Sequence, residues 1–236
     1  MSMKQTLNSI KPGLIAGIPI VIGYFPVAMA FGLLSKAVDI TLLDSCLFSF
    51  IVFAGASQFM ALDLIKAGIS FWDIILATFL LNLRHLMMSA SLAVRLKEIK
   101  RGWLPFIAFG ITDESFAVAS LKEGQLNLPY ILTLQTFAYL SWAGGTFTGY
   151  LIGTALPAAL QNSLGIGLYA MFTGILVPEI KKSNSVLCLS VLAGTLYLII
   201  DYCSFFPAGW NLIATILLAS SIGVFIFNDK TMEEQL

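Results

Sequence analysis

The chain has 236 residues, of which 58% are hydrophobic and only 11% charged, with thirteen basic against thirteen acidic side chains and a formal net charge of zero. A water-soluble fold lacks the interior to hide that much apolar surface, and a mean hydropathy of +0.89 places the chain among integral membrane proteins. With no basic tract longer than a few residues there is no electrostatic footprint for nucleic acid, and Cys46, Cys188 and Cys203 lack the spacing of a metal site or a disulfide framework.

In chain order, apolar stretches fall at about 12–34, 42–65, 71–95, 103–121, 130–157, 163–180, 184–200 and 207–227. Residues 124–178 carry no Asp, Glu, Lys or Arg at all. Inside a bilayer every backbone amide must find a partner; a helix manages this within one segment, and the ten-residue alternation of a membrane barrel is missing. The expected fold is all-α, one integral membrane domain over 1–236 with seven to eight apolar helices, some of them broken or re-entrant. Lys4 and Lys11 ahead of a run ending in Ala28-Met29-Ala30 have the shape of a cleavable leader. Pro19 and Pro26 interrupt that run and further apolar segments follow, so a retained first helix is expected.

The first stretch puts Pro19, Gly23 and Pro26 in one membrane-length run, which marks it either as a broken helix whose unwound backbone lines a site or as an ordinary proline kink filled by a neighbour. In the second, Phe53-Ala-Gly-Ala-Ser57-Gln58-Phe59 offers small residues beside one amide. That is a helix-packing face, or room for a ligand that Gln58 hydrogen-bonds. The third stretch carries Asn82-Leu-Arg84-His85, roughly 15–20 Å deep by helical rise. Thr78, Asn82, His85 and Ser89 share one face within about 60°, so that polar stripe turns inward. Arg84 points elsewhere, its planar fork suited to a carboxylate from a ligand or from an intramembrane acid. His85, the single histidine, titrates near pH 6.5 when unperturbed, which suits a proton carrier as well as a hydrogen-bonded packing element. In the fourth stretch Gly110-Ile-Thr112-Asp113-Glu114 reads as a capped helix start, either at the interface or, with Gly110 as a break, inside the membrane where both acids meet a cation or a proton. Glu179 and Asp201 are secondary acids at segment ends.

Lys4/Lys11, the Arg95–Arg101 cluster and Lys181/Lys182 should all face the cytoplasm, yet three apolar stretches separate each neighbouring pair. Simple spanning therefore fails in each half, as it would if each half held a discontinuous element, and an internal repeat with halves meeting near 100 would account for the recurrence. The breaks are expected at Gly23–Pro26 in the first half and at Gly110–Glu114 or Gly144-Gly145 in the second. No phosphate-cradling loop, nucleophile elbow, cofactor motif or metal spacing is present, so neither enzyme chemistry, cofactor nor metal is expected; a pairing of Ser57 or Ser115 with His85 has nothing to orient it.

Pro19 and Pro26 leading to Phe31-Gly32, then Phe53-Ala-Gly-Ala-Ser-Gln58-Phe59, Asn82-Leu-Arg84-His85, Thr112-Asp113-Glu114 with Phe116-Ala117, and the late Pro178 form an ordered set of landmarks. Together they resemble the AzlC family of azaleucine-resistance or branched-chain amino-acid permeases. The resemblance implies a multi-pass permease of the cell (inner) membrane that exports branched-chain or other large neutral amino acids beside a small hydrophobic subunit of the AzlD type. On this reading Phe53, Gln58, Phe59, Asn82 and Arg84 bind substrate, His85, Asp113 and Glu114 carry protons or ion pairs, and Pro19, Gly23 and Pro26 mark the broken helix. A passive channel for a small solute, or a non-transporting membrane subunit, are the rival readings.

Overall fold

The structure, a computed structural model, describes residues 3–157, 180–203 and 210–226, with isolated positions 159, 163, 173 and 176–178. The apolar stretch at 163–180 therefore lies largely outside the described residues, as does Glu179. Every regular element among the described residues is helical. The chain divides into two compact units, one of residues 1–63 with 82–171 and one of residues 64–81 with 172–236.

The first unit is built on α1 (Met3–Ala37) and α7 (Leu128–Ile152), which pack along most of their length. A side chain at Gly13 would meet Tyr130, one at Gly145 the carbonyl of Phe25, and one at Gly149 the carbonyl of Met29, so the pairing advances together along both chains and the helices are parallel. Gly145 and Gly149 are one turn apart on α7, and a Cβ at Gly149 would stand 2.1 Å from the Met29 carbonyl oxygen. This is backbone-on-backbone contact through small residues four apart. Ile20, Val27, Phe31, Ile131, Leu134 and Trp142 fill the seam.

Two expectations are corrected here. α1 runs unbroken through Pro19, Gly23 and Pro26, with Pro12 inside it as well. Proline in a helix strips an amide donor from the backbone ladder, but α1 stays continuous against the close α7 surface, where Ser141 adds a hydrogen bond to the Val21 carbonyl at 2.8 Å. Gly144-Gly145 is likewise no break, because α7 is continuous there and Gly145 serves the seam.

The breaks fall elsewhere. The stretch at 42–65 is two helices, α2 (Leu42–Ile51) and α3 (Gly55–Lys66), parted at Val52-Phe53-Ala54. The stretch at 103–121 is also two, α5 (Leu104–Phe109) and α6 (Asp113–Leu121), parted at Gly110-Ile111-Thr112 and preceded by a 3-10 turn at Arg101–Trp103. At 1.5 Å per residue each piece spans only about 9–18 Å, up to roughly half of a ~30 Å hydrocarbon core. Between them runs α4 (Phe71–Ala93).

Hydrogen bonds show where each broken element enters. The Arg95 guanidinium donates to the carbonyls of Ala119, Ser120, Lys122 and Gly124, and the Leu126 amide to the carbonyl of Arg95. Arg101 can lie no farther than about 20 Å from Arg95 along an extended chain, so the α5–α6 element leaves from and returns to one end of the bundle. It is re-entrant. α2 enters from the opposite end, where Tyr150 of α7 donates to the Ile40 carbonyl, and runs back along α7 until Tyr139 donates to the Phe50 carbonyl.

In the second unit α8 (Asn184–Cys203) packs against α9 (Trp210–Ile226), with Leu189 against Gly223. Asn211 donates to Asp201 at 3.0 Å. α1, α4 and α8 are long and apolar enough to cross a membrane, and α7 spans 25 residues without a charge. Ile22, Leu86, Met87 and Val191 project from these helices, and Phe225 from α9, as the lipid-facing surface.

Candidate functional site

Each break leaves the last carbonyls of one half-helix and the first amides of the next without intrahelical partners. At the first break the Gln58 amide nitrogen donates to the carbonyls of Phe48 and Val52, and its oxygen accepts from Trp142 Nε1 at 2.8 Å. At the second, the Gln135 amide nitrogen donates to the Ile107 carbonyl at 2.9 Å. A buried glutamine thus closes the end of both α2 and α5. The α6 start is a capping box, in which Thr112 Oγ1 accepts from the Ser115 amide and Ser115 Oγ from the Thr112 amide. Asp113 and Glu114 occupy its first turn, where the helix dipole favours negative charge.

The two breaks meet around Tyr24 of α1. Its hydroxyl lies 2.7 Å from Thr112 Oγ1 and also contacts Glu114 Oε2. Its ring stands edge-on to Trp142 at 5.2 Å and to Phe53 at 6.1 Å. Phe53, inside the first break, reaches Tyr139 at 5.3 Å and Phe109, beside the second, at 6.3 Å. Arg84 of α4 pairs with Asp113 through Nη1 and Oδ2 at 2.7 Å, both side chains only partly buried. Arg84 Nε is buried with no partner. Two residues earlier on α4, Asn82 Oδ1 accepts from Ser57 Oγ at 2.6 Å, fastening α4 to the start of α3.

The structure therefore brings Phe53, Asn82, Arg84, Asp113 and Glu114 into one neighbourhood, with His85 within electrostatic reach of the Arg84–Asp113 pair. Gln58 is fully buried and its amide is committed to holding the break. Phe59 lies apart, packed at 5.7 Å on Phe31. Pro19, Gly23 and Pro26 contribute no unwound backbone, though Gly23 and Pro26 flank Tyr24.

Tyr24, Trp142, Tyr139 and Gln135 were not legible as site residues. In a chain this apolar an aromatic side chain reads as packing, and only the need of a buried O–H, N–H or amide for a partner would have singled them out. Beside the second break a cleft of about 380 Å³ is lined by Trp103, Phe106, Phe109, Leu132, Gln135 and Tyr139. Gln135 is buried and its Oε1 has no partner. Among the described residues no cluster of His, Cys, Asp and Glu could hold a metal ion.

A family model described as AzlC protein matches residues 19–156, more than half of the chain and all of the site. Inner membrane protein YgaZ of Escherichia coli is 33% identical over 187 residues, covering 76% of each chain. A membrane protein of Archaeoglobus fulgidus is 36% identical over 174 residues, 72% of this chain and 76% of its own length. The branched-chain amino acid transport protein AzlC of Bacillus subtilis is 22% identical over 170 residues, 71% of this chain and 66% of the relative. No solved structure matches.

Proposed function

The chain belongs to the AzlC protein family, and from that premise we propose that this multi-pass membrane transporter exports branched-chain or other large neutral amino acids, driven by the proton gradient and working beside a small hydrophobic subunit of the AzlD type. The observation that carries the reading is the meeting of two helix breaks, with ionisable groups at one and a helix start free of acidic residues at the other, around Tyr24. Half-helix ends of opposite polarity beside a few charged side chains are how membrane carriers hold a zwitterion in an apolar medium.

An amino acid brings a carboxylate, an ammonium and a side chain. The α3 start has no acidic residue in its first turn, so its amides and dipole suit the carboxylate, with Asn82 and Ser57 holding that end in place. Arg84 keeps a free Nε for the same anion while it restrains Asp113. Glu114 and Asp113 suit the ammonium. Phe53, continuous with the Phe109 and Tyr139 walls of the cleft, suits the apolar side chain. Gln58 then serves by fixing the break, and Phe59 by packing.

Counterflow in liposomes containing the purified chain tests this: internal unlabelled leucine should accelerate uptake of labelled leucine. Uptake that ignores the internal amino acid would identify a passive pore. No uptake, with or without an added small subunit, would sink the transporter reading for these substrates.

A further inference from the structure

We propose that Glu114 is the exchangeable-proton site of this protein and that Tyr24 is the residue that positions it, whereas Asp113 is the fixed partner of Arg84. The inference rests on proton-coupled transport as proposed above and narrows the carriers from three residues to one.

The two adjacent acids have different surroundings. Asp113 faces the Arg84 guanidinium at 2.7 Å, and a carboxylate so paired has no need of a proton. Glu114 faces a hydroxyl instead, and among the described residues no Lys, Arg or His pairs with it. The groups turned toward it are Tyr24 from α1, with Asp113 and the Thr112 hydroxyl from its own element; from α4, Arg84 and His85 reach Asp113. A carboxyl bonded only to neutral donors can hold or release a proton without stranding a counterion.

Tyr24 supplies the device. Its hydroxyl carries one hydrogen but stands within bonding distance of both Glu114 Oε2 and Thr112 Oγ1. With Glu114 ionised, the Tyr24 hydrogen points to the carboxylate and the Thr112 hydroxyl donates to the Tyr24 oxygen. When one proton binds, Glu114 becomes a carboxylic acid that donates to the Tyr24 oxygen. Tyr24 then turns its hydrogen to Thr112 Oγ1, which uses one lone pair for the Ser115 amide and has another free. No bond but the new O–H forms.

Infrared pH-difference spectroscopy of the purified full chain in lipid, without substrate, reads the protonated carboxyl directly. The wild type should show a carboxylic-acid band that appears and disappears with pH, lost in Glu114→Gln, kept in Asp113→Asn and His85→Gln, and displaced in midpoint in Tyr24→Phe. Glu114→Asp, which keeps an acid, should retain a band at a displaced midpoint. A wild type without a titrating band, a band that survives Glu114→Gln, or a midpoint indifferent to Tyr24→Phe overturns the proposal. In liposomes Glu114→Gln should lose leucine accumulation driven by a pH gradient; a variant that still accumulates leucine overturns it too. If the wild type moves no amino acid, the transport reading fails while the spectra still decide the proton site.

Discussion

Arg84 holds Asp113 by one short contact and keeps its Nε buried and unpaired, so it serves both an acid and, on the proposed reading, the substrate. Arg84→Ala should yield a protein that inserts normally and transports nothing measurable. Arg84→Lys should stay about tenfold or more below wild type, because a point charge cannot reproduce a two-nitrogen fork. Transport of labelled leucine normalised to protein in the membrane checks both, and normal transport by the Ala variant would remove Arg84 from the site. Asn82, Arg84, Asp113 and Glu114 stood out in the sequence because polar groups at membrane depth are costly and therefore rare. Tyr24 and Trp142 did not, since their value lies in which break each touches, and contact between residues 24 and 114 leaves no trace in local pattern.

At the level of elements, the glycines of α7 decide more than the prolines of α1. Gly149→Leu would drive a side chain into the Met29 carbonyl and should lower unfolding stability by about 1–3 kcal/mol or more. Gly144→Ala, whose nearest neighbour is the Phe25 ring at 4.0 Å, should be near neutral. Tryptophan fluorescence during thermal unfolding in detergent distinguishes them, and equal behaviour would mean the seam is looser than described. Prolines mark where a helix loses a hydrogen bond, but close packing against a neighbour can keep it continuous, as α7 does for α1. Val52–Ala54 contains neither proline nor glycine, and its freed backbone is satisfied by the Gln58 amide, which Trp142, distant in sequence, holds through the amide oxygen. The break at Gly110–Thr112 was legible because its capping residues are local.

Across the whole molecule, the parallel pairing of α1 with α7 and the anchoring of the α7 approach to Arg95 put Lys11 and the Arg95–Arg101 cluster at the same end of the first unit. Single cysteines replacing Asn8, Glu98 and Ser183, in a background without native cysteines, should all react with an impermeant thiol reagent from the cytoplasmic side only. Labelling of positions 8 and 98 from opposite sides would contradict the re-entrant elements. The sequence registered this through the failure of simple span counting, but not which stretch of the first half was discontinuous. We propose that the two broken elements, entering from opposite ends and each followed by a long helix, are the remnants of an internal repeat whose halves meet near 100.

The α1–α7 seam also sets a timetable for biogenesis. The two helices are separated by residues 38–127, and at roughly 5–20 residues per second α1 waits on the order of 5–20 s in the bilayer before its partner is made. During that interval its proline-weakened backbone and the Tyr24 hydroxyl have only lipid, translocation machinery or α2–α6 for company. Ribosome-bound chains ending before residue 128 should hold α1 accessible to crosslinking with insertion factors. Chains long enough to release residue 153 from the ribosome should lose those adducts and gain a disulfide between cysteines placed at Leu33 and Gly153, where a Cβ on Gly153 would stand 3.0 Å from that of Leu33. Maturation would thus hinge on a late step, in which the seventh helix claims the first.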